Sequence, residues 1–246
     1  MKISKIAVLI ASALMATMAC AEQPAAKKAG YTEAELKKIL EPRLGEGVKI
    51  DTIRPTPYSD MLEVRIGSDI LYTDKKGEYL FVGRVLATKN MEDLTKARVD
   101  LLTKVNFNDL PFADAIKVVR GDGKRVIAVF EDPNCGYCKK FRQTVAGLDN
   151  VTVHTFLYNV LSEDSAVKSK NIWCSTDRKQ ALEDWMINGK APATAAEDCK
   201  NPNDRVSELG RKLKVSGTPT IFFADGSRIP GFVESKVLEQ KLASVK

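Results

Sequence analysis

The chain is poor in histidine, cysteine and tryptophan, with one, five and two residues respectively among 246. His154, the single histidine, lies inside the strand-like run VTVHTFLYNV and reads as a packed residue, since a lone histidine in a strand more often packs than reacts. No stretch combines clustered Lys/Arg with interleaved aromatics, which excludes a nucleic-acid-binding face of the usual kind. No apolar run reaches the roughly 20 residues needed to cross a bilayer. No internal repeat is present, so a solenoid or propeller is excluded.

What is there begins with a leader. Residues 1–21, MKISKIAVLIASALMATMACA, place Lys2 and Lys5 before an apolar run and close on Ala19-Cys20-Ala21. This is the layout of a secretory signal peptide and implies export to an oxidising compartment. Cys20 stands where a lipid can be attached, but Thr17 replaces the leucine expected three residues earlier, so cleavage after Ala21 is the expectation. Residues 22–30, EQPAAKKAG, then form a solvated tether. Removing 21 residues from 246 leaves 225, and losing Lys2 and Lys5 takes the net charge from +6 to +4. That excess is mild and describes a basic solvated surface.

Cleavage also removes Cys20, leaving Cys135, Cys138, Cys174 and Cys199. Four cysteines permit three complete pairings, of which the simplest joins neighbours. A bridge between Cys174 and Cys199, 25 residues apart, stabilises a fold by about 3.5 kcal/mol on the chain-entropy estimate. A bridge across the two residues between Cys135 and Cys138 closes almost no loop and contributes far less. The first pair reads as structural, and the second calls for another explanation.

Along the mature chain, Thr32-Glu33-Ala34-Glu35 is a capping box opening a helix with Leu36, Ile39, Leu40 and Leu44 at helical spacing. Pro42 predicts that this helix bends or ends early. Strand-like runs follow: VKIDTI, MLEVRI, DILYT and EYLFVGRVL, the last two separated by Asp74-Lys75-Lys76-Gly77. Residues 31–88 are expected to form a small α+β domain, near the size at which a core alone is marginal, and pairing of an edge strand with a second copy is one remedy. The spacing of Leu94, Ala97, Leu101 and Val105 predicts a helix over 91–105, within a linker at 89–107.

From 108 to 246 the pattern alternates as an α/β fold does. KRVIAVFED contains the apolar run Val126–Phe130, which suits a strand buried on both faces. Pro133, Asn134 and the two cysteines follow at once, then KKFRQTVAGL with helical spacing. VTVHTFLYNV is a second strand, residues 162–213 are mostly helical, and TPTIFFADGSRIPGF reads as a hairpin turning at Asp225-Gly226. ESKVLEQKLASV closes the chain as a helix with Val237, Leu238 and Leu242 inward. Trp173 and Trp185 sit at helical positions and read as core or cleft lining.

The order strand, CxxC, helix, strand, helical insertion, Thr-Pro, hairpin, helix is a thioredoxin arrangement with an insertion. With Cys135-Gly136-Tyr137-Cys138, Val215-Ser216-Gly217-Thr218-Pro219-Thr220, Asp225-Gly226 and Ile229-Pro230-Gly231, the chain resembles the DsbC/DsbG family of periplasmic disulfide isomerases. The resemblance covers essentially the whole mature chain; its most specific element is CGYC with a Thr-Pro 81 residues beyond Cys138. It implies an α/β thioredoxin-like catalytic domain with a helical insertion, preceded by a small α+β dimerisation domain and a linker helix. It further implies a homodimer, an apolar cleft with chaperone activity, misfolded disulfide-containing exported clients and a membrane electron donor of the DsbD type. By the same resemblance Thr218-Pro219 forms a cis-proline loop against the cysteine pair and receives extended substrate. No metal or organic cofactor is implied.

The chemistry also follows from position. Thiol–disulfide exchange needs a thiolate, and an ordinary thiol of pKa about 8.5 is only slightly ionised near neutrality. A cysteine at a helix start faces unpaired N–H groups and the positive end of the dipole, which favour the anion. Lys139 and Lys140 add to this, while Glu131 and Asp132 oppose it. Cys135 is therefore the candidate nucleophile and Cys138, one turn on and more buried, the resolving thiol. Gly136 and Tyr137 tune the helix start. Because Val126–Phe130 are all apolar, the strand lacks the buried acid common in thioredoxins, and proton transfer falls to Glu131, Lys139 or water. Three other readings of the pair are weaker. A structural bridge constrains too little chain, a zinc site lacks a second CxxC, and haem attachment needs a histidine where Lys139 stands. Two alternative functions stand beside the isomerase: a DsbA-like net oxidant, and a non-catalytic holder of unfolded chains.

Overall fold

The structure, a computed structural model, describes residues 30–245; the expected leader at 1–21 and most of the tether lie outside them. The first helix, α1 (Glu33–Leu44), opens with the capping box in both directions. Glu35 N–H donates to Thr32 Oγ1 at 3.3 Å and Thr32 N–H donates to Glu35 Oε2 at 2.8 Å. Pro42 does not stop it: the helix runs to Leu44. A proline in the last turn removes a single intrahelical bond, and tertiary contacts hold the end. Ile50 N–H donates to Glu41 Oε1 and Arg43 Nη1 donates to Gly77 O, both at 2.9 Å.

Strands β1 (Thr52–Pro55), β2 (Leu62–Ile66), β3 (Asp69–Thr73) and β4 (Leu80–Phe81) form an antiparallel meander in sequence order. Leu36 and Leu40 of α1 pack on Ile50, Ile53 and Val64. The run read as one strand from Glu78 to Leu86 is two: β4, and β5 (Leu86–Ala87), which pairs with β6 (Glu92–Asp93). Residues 92–93 are thus strand, and the linker helix, α2, is confined to Leu94–Leu102. Its buried residue is Thr95, bonded to Tyr72 Oη at 2.5 Å. Leu101, on the apolar face that the spacing marks, is 60% exposed. The reason is that Thr95 and Arg98, which pairs with Glu63 at 3.0 Å, turn the polar side of α2 onto the sheet. Leu94, Ala97 and Leu101 line an open groove of about 420 Å³ with Pro55, Pro57 and Tyr58, and Arg54 and the Arg98–Glu63 pair border the same groove.

After two short 3-10 turns come β7 (Ile116–Arg120), β8 (Arg125–Glu131), α3 (Gly136–Ala146), β9 (Val151–Leu157), α4 (Glu163–Trp173), α5 (Arg178–Asn188), α6 (Asn203–Lys212), β10 (Thr220–Phe223), β11 (Arg228–Pro230) and α7 (Ser235–Ser244). The sheet order is β11-β10-β8-β9-β7, with β8 and β9 parallel and the other pairs antiparallel. The apolar run of β8 is divided by the strand alternation. Ile127 and Val129 meet Phe141, Val145, Leu238 and Leu242 on one face, and Ala128 and Phe130 meet Phe156, Phe222 and Val206 on the other. This is a central strand covered on both sides. Val237 is not inward as expected but 46% exposed. Leu238 and Leu242 are four apart and share a helix face, and Val237 is turned from it by about 100°. His154 is packed, its ring 4.4 Å from that of Phe112, and burial holds its pKa below the ordinary value.

The hairpin between β10 and β11 turns at Gly226, where φ is +78° and an added Cβ would lie 2.1 Å from Val105 O. Val105 N–H donates to Gly226 O at 3.0 Å, so the chain leaving α2 is pinned to the tip of this hairpin.

Candidate active site

β8 runs through the core and delivers two acids, Glu131 and Asp132, both fully buried. Asp132 is a clamp. Its Oδ1 accepts from Asn134 N–H and Ser165 Oγ–H, each at 2.8 Å, and its Oδ2 accepts from Val160 N–H at 2.8 Å and Leu161 N–H at 3.0 Å. Its carbonyl accepts from Cys135 N–H at 3.0 Å. One side chain therefore joins the end of β8, the loop into α3, the segment after β9 and the start of α4. A carboxylate accepting several such bonds is held far more firmly than the loop alone would be.

Cys135 is the N-cap of α3, and its Sγ accepts from Cys138 N–H at 3.3 Å. Helix termini leave such N–H groups without intrahelical partners, and here a sulfur receives one. The Thr218–Pro219 peptide is cis, and Cys135 Sγ donates to Thr218 O at 3.4 Å. Both cysteines are free thiols, Cys135 6% exposed and Cys138 fully buried. Burial, and after it the charge of Glu131, push the Cys138 thiol well above the ordinary thiol value. Gly136 is open: an added Cβ would meet nothing within 4 Å. Tyr137 is exposed, with its ring 6.4 Å from that of Phe232.

Beneath the pair, Glu131 Oε2 accepts from Arg142 Nε–H at 2.8 Å, and Arg142 Nη2 reaches both Glu131 Oε2 and Thr155 Oγ1. Burial pushes the Glu131 carboxyl up while the Arg142 guanidinium pulls it down. Glu131 Oε1 is buried without a hydrogen-bond partner among the described residues. A buried acid is thus present, one residue later than the apolar stretch in which it was sought. Sequence reasoning missed Arg142 and the Asp132 clamp. Arg142 was detectable, since Cys138, Phe141, Arg142 and Val145 share one helical face and all four are buried. Apart from the contact with Asn134 N–H two residues on, the clamp reaches across 28 to 33 residues, and those partners leave no local signal.

The remaining pair is bridged. Cys174, the C-cap of α4, is bonded to Cys199, with Cα atoms 6.4 Å apart. Cys174 packs against the apolar cluster that holds Cys135 and Cys138. Among the described residues no group of three or more His, Cys, Asp or Glu could hold a metal ion.

A dithiol capping a helix at the end of a central parallel strand, beside a cis-proline loop, defines a thiol–disulfide oxidoreductase of the thioredoxin fold. Residues 112–246 match the family model described as a thioredoxin-like domain, and residues 20–96 the model of the disulfide bond isomerase protein N-terminal domain. The probable thiol:disulfide interchange protein DsbC of Bordetella pertussis is 46% identical over 197 residues, 80% of this chain and 70% of that one. The thiol:disulfide interchange protein DsbC of Escherichia coli K12 is 29% identical over 217 residues, 87% of this chain and 89% of that one. A crystal structure of a disulfide interchange protein from Neisseria gonorrhoeae superposes with a TM-score of 0.53 at 36% identity, covering 55% of this chain and 98% of that one. The chain belongs to the DsbC family and is an enzyme of thiol–disulfide exchange.

Proposed function

We propose that the protein rearranges incorrect disulfides in exported proteins, with Cys135 as nucleophile and Cys138 as resolving thiol. The observation that carries this reading is the pairing of Cys135, which keeps 6% exposure at a helix start with its Sγ beside Thr218 O, with a wholly buried Cys138. Cys135 thiolate attacks one sulfur of a client disulfide; the new S–S bond is a mixed disulfide and the other client sulfur leaves as thiolate. A second client thiolate then attacks the client sulfur of that bond, forming the rearranged disulfide and returning Cys135 as thiolate with no net electron transfer. If the client stalls, Cys138 attacks Cys135 Sγ and loses its proton, the client leaves reduced, and an outside donor of the DsbD type restores the dithiol. Glu131 is the basic group at hand for that proton, while burial and the Glu131 charge hold Cys138 as a thiol and keep the resolving step slow, which leaves time for the client to rearrange.

Substrate contacts fall to the backbone at Thr218 and Pro219 and to the exposed Tyr137, with Gly136 keeping the approach open. The Cys174–Cys199 bridge is structural. The domains are read as 31–88 for dimerisation, 89–107 for the linker and 108–246 for catalysis, in a periplasmic protein released by cleavage of residues 1–21. Support for a dimer comes from β4, an edge strand whose Leu80 and Phe81 are exposed, a combination that favours strand pairing. The open groove along α2, whose apolar lining comes from Leu94, Ala97, Leu101, Pro55, Pro57 and Tyr58, supports chaperone activity. The test is to incubate the mature protein with a scrambled multi-disulfide substrate. Native substrate recovered by the parent and not by Cys135→Ala supports isomerisation, whereas net oxidation of a reduced substrate, or equal recovery by the variant, contradicts it.

A further inference from the structure

Three contacts converge on Trp185, a residue of α5 that the exchange chemistry does not use. Its indole Nε1–H donates to Pro133 O at 2.7 Å, on the loop that leads into Cys135. The ammonium of Lys139 lies 4.1 Å from its ring centroid and that of Lys168 4.9 Å. The ring itself packs against the cluster that contains Cys135 and Cys138. A cation within about 6 Å of an indole face is attracted by the ring's quadrupole, and the more strongly the further it is desolvated.

The charges around the dithiol are Lys139, Lys140 and Arg142 from α3, Glu131 from β8 and Asp132 just after it, and Asp164 and Lys168 from α4; the Lys140 ammonium lies 5.4 Å from the centroid of the exposed Tyr137 ring. Arg142 is committed to Glu131, Lys168 to Asp164, and Asp132 to its hydrogen-bonded clamp. Lys139 has no carboxylate partner among the described residues. It sits one turn into α3, with its N–H donating to Cys135 O at 3.1 Å, at the end of the helix where the dipole disfavours a cation. Left alone, its flexible stem would carry the ammonium away into solvent. The Trp185 ring gives it a seat.

We infer that Trp185 is a positioning residue for the redox pair: it seats the Lys139 ammonium over a ring that packs against the Cys135–Cys138 cluster and thereby favours the reduced, thiolate-bearing form over the disulfide. This rests on the reading of Cys135–Cys138 as the redox pair. The insertion helix then sets the redox poise of the site as well as covering it, and Pro133 is tied to the same ring so that loop and charge are placed together.

The test is equilibration of the purified protein with glutathione. Two glutathione thiols give two electrons and two protons to the Cys135–Cys138 disulfide and leave as one glutathione disulfide, so the equilibrium constant reads the stability of the reduced form. Lys139→Met and Trp185→Leu are each expected to lower that constant by ~3- to 10-fold, the size of a change of about half to one unit in thiolate stabilisation. The double variant should fall no further than either single one, because both act through one contact. Lys139→Arg, which keeps the cation, should stay near the parent. Unchanged constants in the single variants, additive losses in the double variant, or a lowered melting temperature with an unchanged constant would each overturn the inference. If Trp185→Leu does not fold, Lys139→Met set against Lys139→Arg decides: a fall in the first alone supports the seat, and equal constants contradict it. Failure of the underlying reading looks different, since the parent itself would then show no glutathione-dependent equilibrium.

Discussion

The two cysteine pairs sit in the same domain and border the same apolar cluster, yet only one of them is a staple. Cys174 and Cys199 are 25 residues apart and bonded; Cys135 and Cys138 are three apart and free. A bridge removes disorder from the unfolded chain in proportion to the logarithm of the loop it closes, so the long loop gains and the short one hardly does. What the short pair has is placement: a helix start, the Thr218 carbonyl, and a buried acid, Glu131, whose charge reaches Cys138. The comparison teaches that a disulfide's purpose is read from loop length and surroundings together, and from neither alone.

The sharpest way to break the comparison is to exchange the pairs' fates. Cys135→Ala should reduce turnover of a disulfide substrate to the uncatalysed rate. Cys174→Ala/Cys199→Ala should retain exchange activity at temperatures where it is folded. Activity surviving the first change, or vanishing in a folded form of the second, would erase the distinction.

Arg142→Leu comes next. It leaves Glu131 buried without its counter-charge, and breaking a buried pair in this way costs about 3–5 kcal/mol. The Glu131 carboxyl is already raised by burial, so the folded state holds its proton more tightly than the unfolded one. The loss should therefore be small at acidic pH, where Glu131 is protonated with or without Arg142, and grow only as pH rises above the ordinary carboxylate range and through the raised value of the folded protein. Denaturant titrations at acidic and neutral pH check this, and a loss independent of pH would mean that Glu131 stays neutral. Removal of the Cys174–Cys199 bridge should cost about 3.5 kcal/mol on the chain-entropy estimate, read as a shift in denaturant midpoint. A far smaller shift would show that the insertion is held by packing alone.

The smallest expected effect sharpens the account of Cys138. In a Cys135→Ser background, Glu131→Gln should move the pH dependence of Cys138 alkylation to lower pH, because a neighbouring negative charge is gone. It should remain above that of an ordinary thiol, since burial is the larger cause. No movement would remove Glu131 from the chemistry of the resolving step.

Much of this fold was legible because it is local. The capping box at Thr32, the apolar run of β8 and the Asp225-Gly226 turn are each complete within about ten residues, and each is found where the pattern put it. What was not legible depends on partners distant in sequence. Thr95 and Arg98 turn α2 around because they meet Tyr72 and Glu63, 23 and 35 residues away. A helical wheel records apolar spacing and carries no information about those partners. The candidate site divides along the same line: the CxxC and the Thr-Pro were recognisable as motifs, whereas Arg142, Asp132 and Trp185 acquire their roles from contacts between elements.

The central claim is that Cys135 alone makes the covalent contact with client while the Cys174–Cys199 bridge stands aside. Trapping tests it most directly: Cys138→Ala, which cannot resolve the intermediate, is mixed with a disulfide-containing substrate, quenched in acid and mapped by mass spectrometry. The account expects one substrate molecule linked to Cys135 and an intact bridge between Cys174 and Cys199. Substrate linked to Cys174 or Cys199, or no adduct at Cys135, would contradict it.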